Sequence, residues 1–371
     1  MNKTRITTIV GTRPELIRLS LLIKRLDEVF EHRLIHTGQN SDSNLSEVFF
    51  QELTIRNPDV YLNVKTTSLG LFLGDLLPAI EEDFERFPPD ALLILGDTNS
   101  ALSGLIAKRK GIPVYHLEAG NRAFDHNVPE EINRRVIDHF ADFNLTYTQY
   151  AKDNLIREGI APRTVSVIGS PLHEVINHYY DEINSSIILK TLEIKTGEYF
   201  VVSTHRQENV DNPIRLSELV DSLNMIAVKY SLPIIVSTHP RTKSKLEKLK
   251  IEINPLILLH EPLGFFDYCK LQKDSRLVLS DSGSISEEAV ILGFKALTIR
   301  NSMERPEALE SGSVILAGIN KASVLKAIQV IESGPTSKSP PIEYLIPDSS
   351  TRVLNYLTST LHQHKFWSGL R

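Results

Sequence analysis

ITTIVGTRPELIRLSLLIKRLDEV (residues 6–29) changes character in mid-stretch. Residues 6–12, ITTIVGT, form a short continuous apolar run, whereas 14–29, PELIRLSLLIKRLDEV, carry apolar residues at helical spacing with charges between them. An unbroken apolar strand feeding an amphipathic helix opens a βα unit, because only a strand covered on both faces can do without polar alternation.

The same alternation runs through the chain. Further strand candidates are HRLIHTG (32–38), ALLILGD (91–97), PVYHLEA (113–119), FNLTYT (143–148) and TVSVIGS (164–170). A second series follows with YFVVSTH (199–205), LPIIVSTH (232–239), LILLHE (256–261), RLVLSD (276–281), KALTIR (295–300) and SVILAG (313–318). Helical stretches such as NPIRLSELVDSLNMIAVKY (212–230) separate nearly all of them. Two such series in tandem predict an α/β protein of two doubly wound, Rossmann-like parallel-sheet domains. The expected boundaries are 1–172 and 173–347, with the join near 170–195, where the helix HEVINHYYDEIN gives way to a polar stretch. GPTSKSPP (334–341) precedes a last helix at about 348–367.

A length of 371 residues agrees with two domains, since one core rarely grows beyond ~250–300 residues. Apolar content of 41%, charged content of 23% and a net charge of −5 fit a soluble globular chain without the basic excess of a nucleic-acid binder. The single cysteine, Cys269, excludes an internal disulfide or a multi-cysteine metal site. No signal-peptide pattern opens the chain and no stretch approaches the ~20 apolar residues of a membrane span, so the cytoplasm is the expected location.

In open parallel sheets ligands bind beyond the carboxyl ends of the strands. Here those ends carry Arg13, Gln39, Asp97, Glu118, His205, His239 and Asp281-Ser282. Each has an ordinary structural explanation: Asp97 could cap the helix that follows, and Glu130, after Pro129, could complement a helix dipole. A whole row of polar strand ends is harder to explain so, because charge at a buried strand end is costly unless paired or used. SDSGSISEEAVILG (280–293) is the clearest ligand signal, a strand, a tight Ser282-Gly283-Ser284 turn and a helix start whose N–H groups suit an anion. It is neither a dinucleotide fingerprint nor an NTPase loop. Glu287 or Glu288 could accept from ribose hydroxyls, and Arg13, Arg206 and Arg305 are candidates to neutralise a diphosphate. HQH (362–364) reads as a solvated tail and not as a metal site.

Eight ordered motifs resemble the non-hydrolysing UDP-N-acetylglucosamine 2-epimerase family: GTRPE (11–15), TGQ (37–39), GDT (96–98), EAG-N-R (118–122), PEE-x-NR (129–134), HR-x-EN (205–209), DSG-x-I-x-EE (281–288) and ERPEA (304–308). The resemblance spans about residues 6–318. It implies a GT-B-like arrangement of the two domains with the active site in the interdomain cleft, a C-terminal helix returning to the first domain, and a homodimer. Neither metal nor redox cofactor is implied; the ligand is a UDP-sugar, with no nucleic-acid or membrane partner. The reaction implied removes the C2 proton and expels UDP from C1, giving a 2-acetamidoglycal to which UDP returns with a proton on the opposite face of C2.

Carried onto this chain, the catalytic residues fall on Asp97, Glu118, Glu130 and His205. The diphosphate and ribose contacts fall on Arg13, Ser282, Gly283, Ser284 and Glu288, with Tyr268 as the aromatic on uracil, and Arg122, Arg134, Arg206, His239 and Arg305 are further candidates to bind the substrate. Asn40, Asn121, Ser284 and a short 118–130 connection depart from the common form of the family. They resemble the branch that converts UDP-2-acetamido-2,6-dideoxy-L-talose to UDP-N-acetyl-L-fucosamine for capsule or O-antigen, and Asn40 with the short connection implies that a second, activating UDP-sugar site is absent. The rival within the scaffold is the UDP-N-acetylglucosamine/UDP-N-acetylmannosamine epimerase. A GT-B glycosyltransferase and a non-catalytic UDP-sugar sensor are further alternatives, against which the acidic set Asp97, Glu118 and Glu130 argues.

Overall fold

A computed structural model describes residues 3–39, 43–204, 206–238, 245–246, 251–334 and 339–369, with backbone alone at 43–47 and 207–208. The chain divides into two compact units, Met1–His178 with Glu343–Arg371, and Tyr179–Ile342.

The first unit holds a seven-stranded parallel sheet, with β1 (Arg5–Val10), β2 (Glu31–His36), β3 (Val60–Tyr61), β4 (Ala91–Leu95), β5 (Val114–Leu117), β6 (Phe143–Thr146) and β7 (Val165–Val167) in the order β3-β2-β1-β4-β5-β6-β7. All five residues of β4, ALLIL, are buried, as expected of a central strand covered on both faces. Ile9, Ile35, Leu92, Ile94 and Val114 from the sheet pack with Phe72, Leu76, Ile80 and Phe84 from helix Leu69–Arg86. Each such side chain contributes roughly 1.5–3 kcal/mol on full burial. The two-residue β3 is absent from the sequence expectation, being too short to show a period.

The second unit repeats the plan with β8 (Phe200–Ser203), β9 (Ile234–Ser237), β10 (Ile257–His260), β11 (Leu277–Ser280), β12 (Ala296–Thr298) and β13 (Val314–Leu316), ordered β10-β9-β8-β11-β12-β13. Phe200, Val202, Leu279 and Leu297 pack there against Leu219, Leu223 and Ile226 of helix Pro213–Tyr230. The stretch expected as one helix over 173–184 is two, Pro171–His178 and Tyr180–Ser185, broken at Tyr179.

The C-terminal segment closes the first unit. Helix Ser349–Thr360 gives way to a 3₁₀ turn and a short helix, His364–Trp367. Ser349 Oγ donates to Ile168 O at 3.1 Å, and Tyr115 and Thr360 share a 2.8 Å hydroxyl contact. Expectation fails at HQH: His364 is buried, its Nε2 3.0 Å from Asp142, and only His362 is exposed. A carboxylate at the β6 entrance makes the dock that a sequence period cannot show. Among the described residues no helix is long and apolar enough to cross a membrane, and no cluster of three or more His, Cys, Asp or Glu could hold a metal ion.

Both sheets reverse direction of growth at one place, between β1 and β4 in the first unit and between β8 and β11 in the second. Loops leave the carboxyl ends of those pairs on opposite faces, opening a crevice. Gly11-Thr12-Arg13 and Gly96-Asp97-Thr98 follow β1 and β4; Thr204 and Arg206, and Asp281 to Ser284, follow β8 and β11.

Candidate active site

In the first unit the acidic candidates come from adjacent strands. Leu95 of β4 pairs with Leu117 of β5, so Asp97 and Glu118 lie just beyond neighbouring strand ends. Glu118 has φ +64°, left-handed backbone that costs a non-glycine residue about 1–2 kcal/mol. That strain re-aims the side chain at the point where an extended residue would continue the sheet. Arg18, buried on helix Arg13–Val29, places Nε 3.6 Å from Glu118 Oε2.

Asp97 is held by Arg134, whose Nε and Nη2 donate to Oδ2 at 2.9 and 2.5 Å, while Asn133 donates to its carbonyl at 3.0 Å. The two glutamates of PEE divide their work. Glu131, fully buried, accepts from the backbone N–H groups of Ala123 and Phe124 at 2.9 and 3.3 Å and pairs with Arg134 and Arg135, so it anchors the 119–128 loop. Glu130 is half-buried in the first turn of helix Pro129–Phe140.

Arg13 begins the helix after β1, its guanidinium carbon 5.4 Å from the Phe49 ring centroid. Beneath it Glu15 receives Gly11 N–H at 3.0 Å, Thr12 N–H and hydroxyl at 2.7 Å each, and Thr98 hydroxyl at 3.1 Å. Complete burial pushes its carboxyl up to about 7, against the downward pull of those four donors. Gln39 accepts from Ser100 N–H at 2.9 Å, joining the ends of β2 and β4. Burial likewise pushes His36, the last residue of β2, down to about 4.

Arg122 is committed to two acidic partners inside the first unit. Its side chain is wholly buried, with Nε and Nη2 donating to Glu158 at 2.8 and 2.6 Å and Nη1 donating to Asp138 at 2.7 Å. Asn121 beside it is buried, and Phe124, at φ +53°, is 71% exposed beneath the Arg135 guanidinium.

In the second unit the turn after β11 is built from small side chains. Ser282 and Ser284 share a 2.8 Å hydroxyl contact, Ser284 Oγ donates to Glu288 at 2.7 Å, and helix Ile285–Leu292 starts immediately afterwards. Four backbone N–H groups at such a start lack intrahelical partners, which makes the turn a seat for an anion. A Cβ on Gly283 would lie 2.3 Å from Glu304 Oε1 and 2.8 Å from Arg305 Nη1. Glu287 is buried and pairs with Arg305 at 2.9 Å, whereas Glu288 is half-buried and held by Gln272 at 2.6 Å. Arg305 also donates to Gly283 O at 3.0 Å, so it supports the turn from beneath. Arg206, less buried, donates from Nε to Asp281 O at 3.0 Å. Tyr268 and Gln272 are four apart on helix Phe265–Lys273, so they share a face and Tyr268 stands on the Glu288 side. His205, His239 and Asn40 lie outside the described residues.

Sequence reading missed Arg18, Glu15 and Asp138 as parts of this arrangement. Glu15 lies within GTRPE, where nothing in the sequence gives it a role, and Arg18 sits as one charge in an apolar helix face formed by Leu16, Leu19, Leu22, Ile23 and Leu26, a signal that only the third dimension explains.

The family model described as UDP-N-acetylglucosamine 2-epimerase matches residues 24–358. The UDP-N-acetylglucosamine 2-epimerase of Methanocaldococcus jannaschii is 38% identical over 336 residues, 88% of this chain and 92% of that protein. Its solved structure in complex with UDP-GlcNAc and UDP has a TM-score of 0.90 at 35% identity, covering 96% of this chain and 100% of that one. The structure of UDP-N-acetylglucosamine 2-epimerase from Rickettsia bellii has a TM-score of 0.90 at 39% identity and covers 98% of each chain. The UDP-2,3-diacetamido-2,3-dideoxy-D-glucuronate 2-epimerase of Pseudomonas aeruginosa is 32% identical over 363 residues, 95% of this chain and 99% of that protein.

Proposed function

This chain belongs to the non-hydrolysing UDP-N-acetylglucosamine 2-epimerase family, and we propose that it inverts C2 of a UDP-2-acetamido-2-deoxy sugar by elimination and re-addition of UDP. The observation that carries the reading is the pair of carboxylates, Asp97 and Glu118, at adjacent strand ends, one oriented by an arginine fork and the other by left-handed backbone.

One carboxylate takes the C2 proton as the C1–O bond breaks, the electron pair leaving with the diphosphate and a C1–C2 double bond forming. UDP then adds back at C1 while a second acid delivers a proton to the other face of C2. Asp97, Glu118 and Glu130 supply three carboxyl groups for these roles. Arg13, and in the second unit Arg206 with the Ser282–Ser284 turn and helix start, supply the positive field a departing diphosphate needs. Tyr268 and Glu288 serve uracil and ribose, and His205 and His239 complete the set. This chemistry calls on side chains and backbone alone.

For the sugar itself we take UDP-N-acetylglucosamine and its manno epimer as the leading substrate pair, supported by the relatives of that name at 35–39% identity over nearly the whole chain. A second reading, UDP-2-acetamido-2,6-dideoxy-L-talose to UDP-N-acetyl-L-fucosamine, is supported by Asn121, buried in the turn after Glu118 where the family's common form has leucine. The protein in heavy water with each UDP-sugar, followed at C2 by NMR, tests both. Deuterium entering C2 together with epimer formation is expected with UDP-N-acetylglucosamine. Exchange with the 6-deoxy-L sugar alone replaces the substrate assignment by the second reading, and exchange with neither removes the epimerase reading.

A further inference from the structure

We infer that the buried pair His116–Asp138 is a positioning device that sets the spacing of Asp97 and Glu118; the inference rests on the epimerase reading proposed above. His116, in the middle of β5 and wholly buried, has Nε2 2.8 Å from the carbonyl oxygen of Gly96. A carbonyl only accepts, so Nε2 carries the proton and donates it. Gly96 is the residue that leads into Asp97. On the other side of the ring, Nδ1 stands 2.9 Å from Asp138 Oδ1.

Asp138 comes from helix Pro129–Phe140 and is also wholly buried. Its two oxygens each receive the Gly120 N–H at 3.2 Å, and Oδ2 receives Arg122 Nη1 at 2.7 Å. Gly120 is two residues beyond Glu118 and has φ +83°; a Cβ there would come within 2.2 Å of Ala151 O. The turn that carries Glu118 in left-handed conformation is therefore pinned at Gly120 to Asp138. The turn that carries Asp97 is pinned at Gly96 to His116, and the two pins meet at 2.9 Å.

Neither side chain reaches solvent, so neither touches a ligand. Their effect passes through the backbones of two other residues. Apolar side chains of the same volume would hold β5 against the helix equally well, and buried polar groups are costly substitutes for them. What the polar pair adds is direction: hydrogen bonds fix the two peptides that aim the carboxylates, and a misplacement of ~1 Å at a reacting centre costs about 10²-fold in rate. A clamp that only stabilises the fold leaves the rate of the surviving folded enzyme unchanged. A positioning pair changes that rate.

The experiment compares His116→Gln and Asp138→Asn with wild type for C2 deuterium exchange, KM, UDP affinity by calorimetry, and folded state by circular dichroism. His116→Gln keeps a donor toward Gly96 O and gives up the Asp138 contact. Each folded variant is expected to lose 10- to 100-fold in kcat, with KM within threefold and UDP Kd within twofold. Exchange within threefold of wild type in either folded variant overturns the inference, as does a loss of UDP affinity equal to the loss in rate. A measurement on the wild type needs no variant: with nitrogen-15 histidine, the His116 ring proton is expected on Nε2 and protected from solvent exchange, and a ring protonated on Nδ1 alone overturns it. Absence of exchange in the wild type removes the epimerase reading itself, whereas intact wild-type exchange with unimpaired variants removes only the positioning role.

Discussion

Arg134 donates from Nε and Nη2 to a single carboxylate oxygen of Asp97, at 2.9 and 2.5 Å, and from Nη1 to Glu131 at 3.1 Å. One guanidinium thus orients the strand-end acid and braces the glutamate that anchors the 119–128 loop. Arg134→Met removes the fork while keeping most of the volume. Truncating one partner of a buried charge pair costs about 3–5 kcal/mol, and because Asp97 is partly exposed and Glu131 keeps Arg135, we expect about 3 kcal/mol by urea unfolding. C2 exchange should fall at least 10-fold at saturating substrate, with Arg134→Lys intermediate because it keeps charge without the fork. Wild-type exchange in Arg134→Met would mean that Asp97 is oriented by something else.

Glu118 carries the second prediction, which joins strain to function. Glu118→Gln should lower C2 exchange by 10² or more while UDP affinity stays within twofold, since the proposed anion seat, Ser282–Ser284, belongs to the second unit. Glu118→Gly removes the same carboxylate and also relieves a left-handed non-glycine backbone, worth about 1–2 kcal/mol less the ~0.5–1 kcal/mol entropic cost of glycine. The glycine variant should therefore unfold at the same or a higher denaturant concentration than the glutamine variant, although neither exchanges. A less stable Glu118→Gly would show that the left-handed conformation carries no strain.

Much of this arrangement is legible in the linear chain, and the division has a physical basis. Strands such as ALLILGD announce themselves because burial on both faces demands an unbroken apolar run, and the residue that ends the run is marked as exceptional. Asp97, Glu118 and the Ser282–Ser284 turn are singled out that way as candidates. What stays hidden is who partners whom across long separations: Arg122 goes to Glu158, Arg305 supports Gly283 from below, and His364 finds Asp142 from 222 residues away by their numbers. Two-residue β3 has no period to read, and a left-handed φ at a glutamate has no composition signal at all.

Glu15 makes a prediction about pH. In the unfolded chain its carboxyl ionises near 4.5; in the folded protein burial holds it at about 7. Below pH 4.5 both states are protonated and the residue is neutral in the balance. Between 4.5 and 7 the unfolded state loses its proton while the folded state keeps it, so this group's contribution to stability falls with rising pH, by roughly 3 kcal/mol in all, and is flat above 7. Glu15→Gln abolishes the dependence and preserves the shape, with the amide oxygen toward Gly11 and Thr12 and the amide N–H toward Thr98. The difference in unfolding free energy, wild type minus Glu15→Gln, should decline across pH 4.5–7. A difference that is level over that range would place Glu15 in a less costly environment than its burial indicates.

Gly283→Ala tests the anion seat. An added Cβ would meet Glu304 Oε1 at 2.3 Å and Arg305 Nη1 at 2.8 Å. Those groups sit at the ends of side chains, which ordinarily yield, but both are buried and committed: Glu304 accepts from Arg300 at 2.6 Å, and Arg305 pairs with Glu287 at 2.9 Å. The methyl is more easily accommodated by lifting the Ser282–Ser284 turn than by breaking two buried ion pairs. Overpacking of this kind costs about 1–3 kcal/mol, and lifting the turn misaligns the N–H groups at the start of helix Ile285–Leu292. We expect UDP affinity by calorimetry to drop at least 10-fold, with the melting temperature lowered by a few degrees and kcat at saturating substrate reduced less than KM is raised. Unchanged UDP binding in a folded Gly283→Ala protein would move the diphosphate away from this turn.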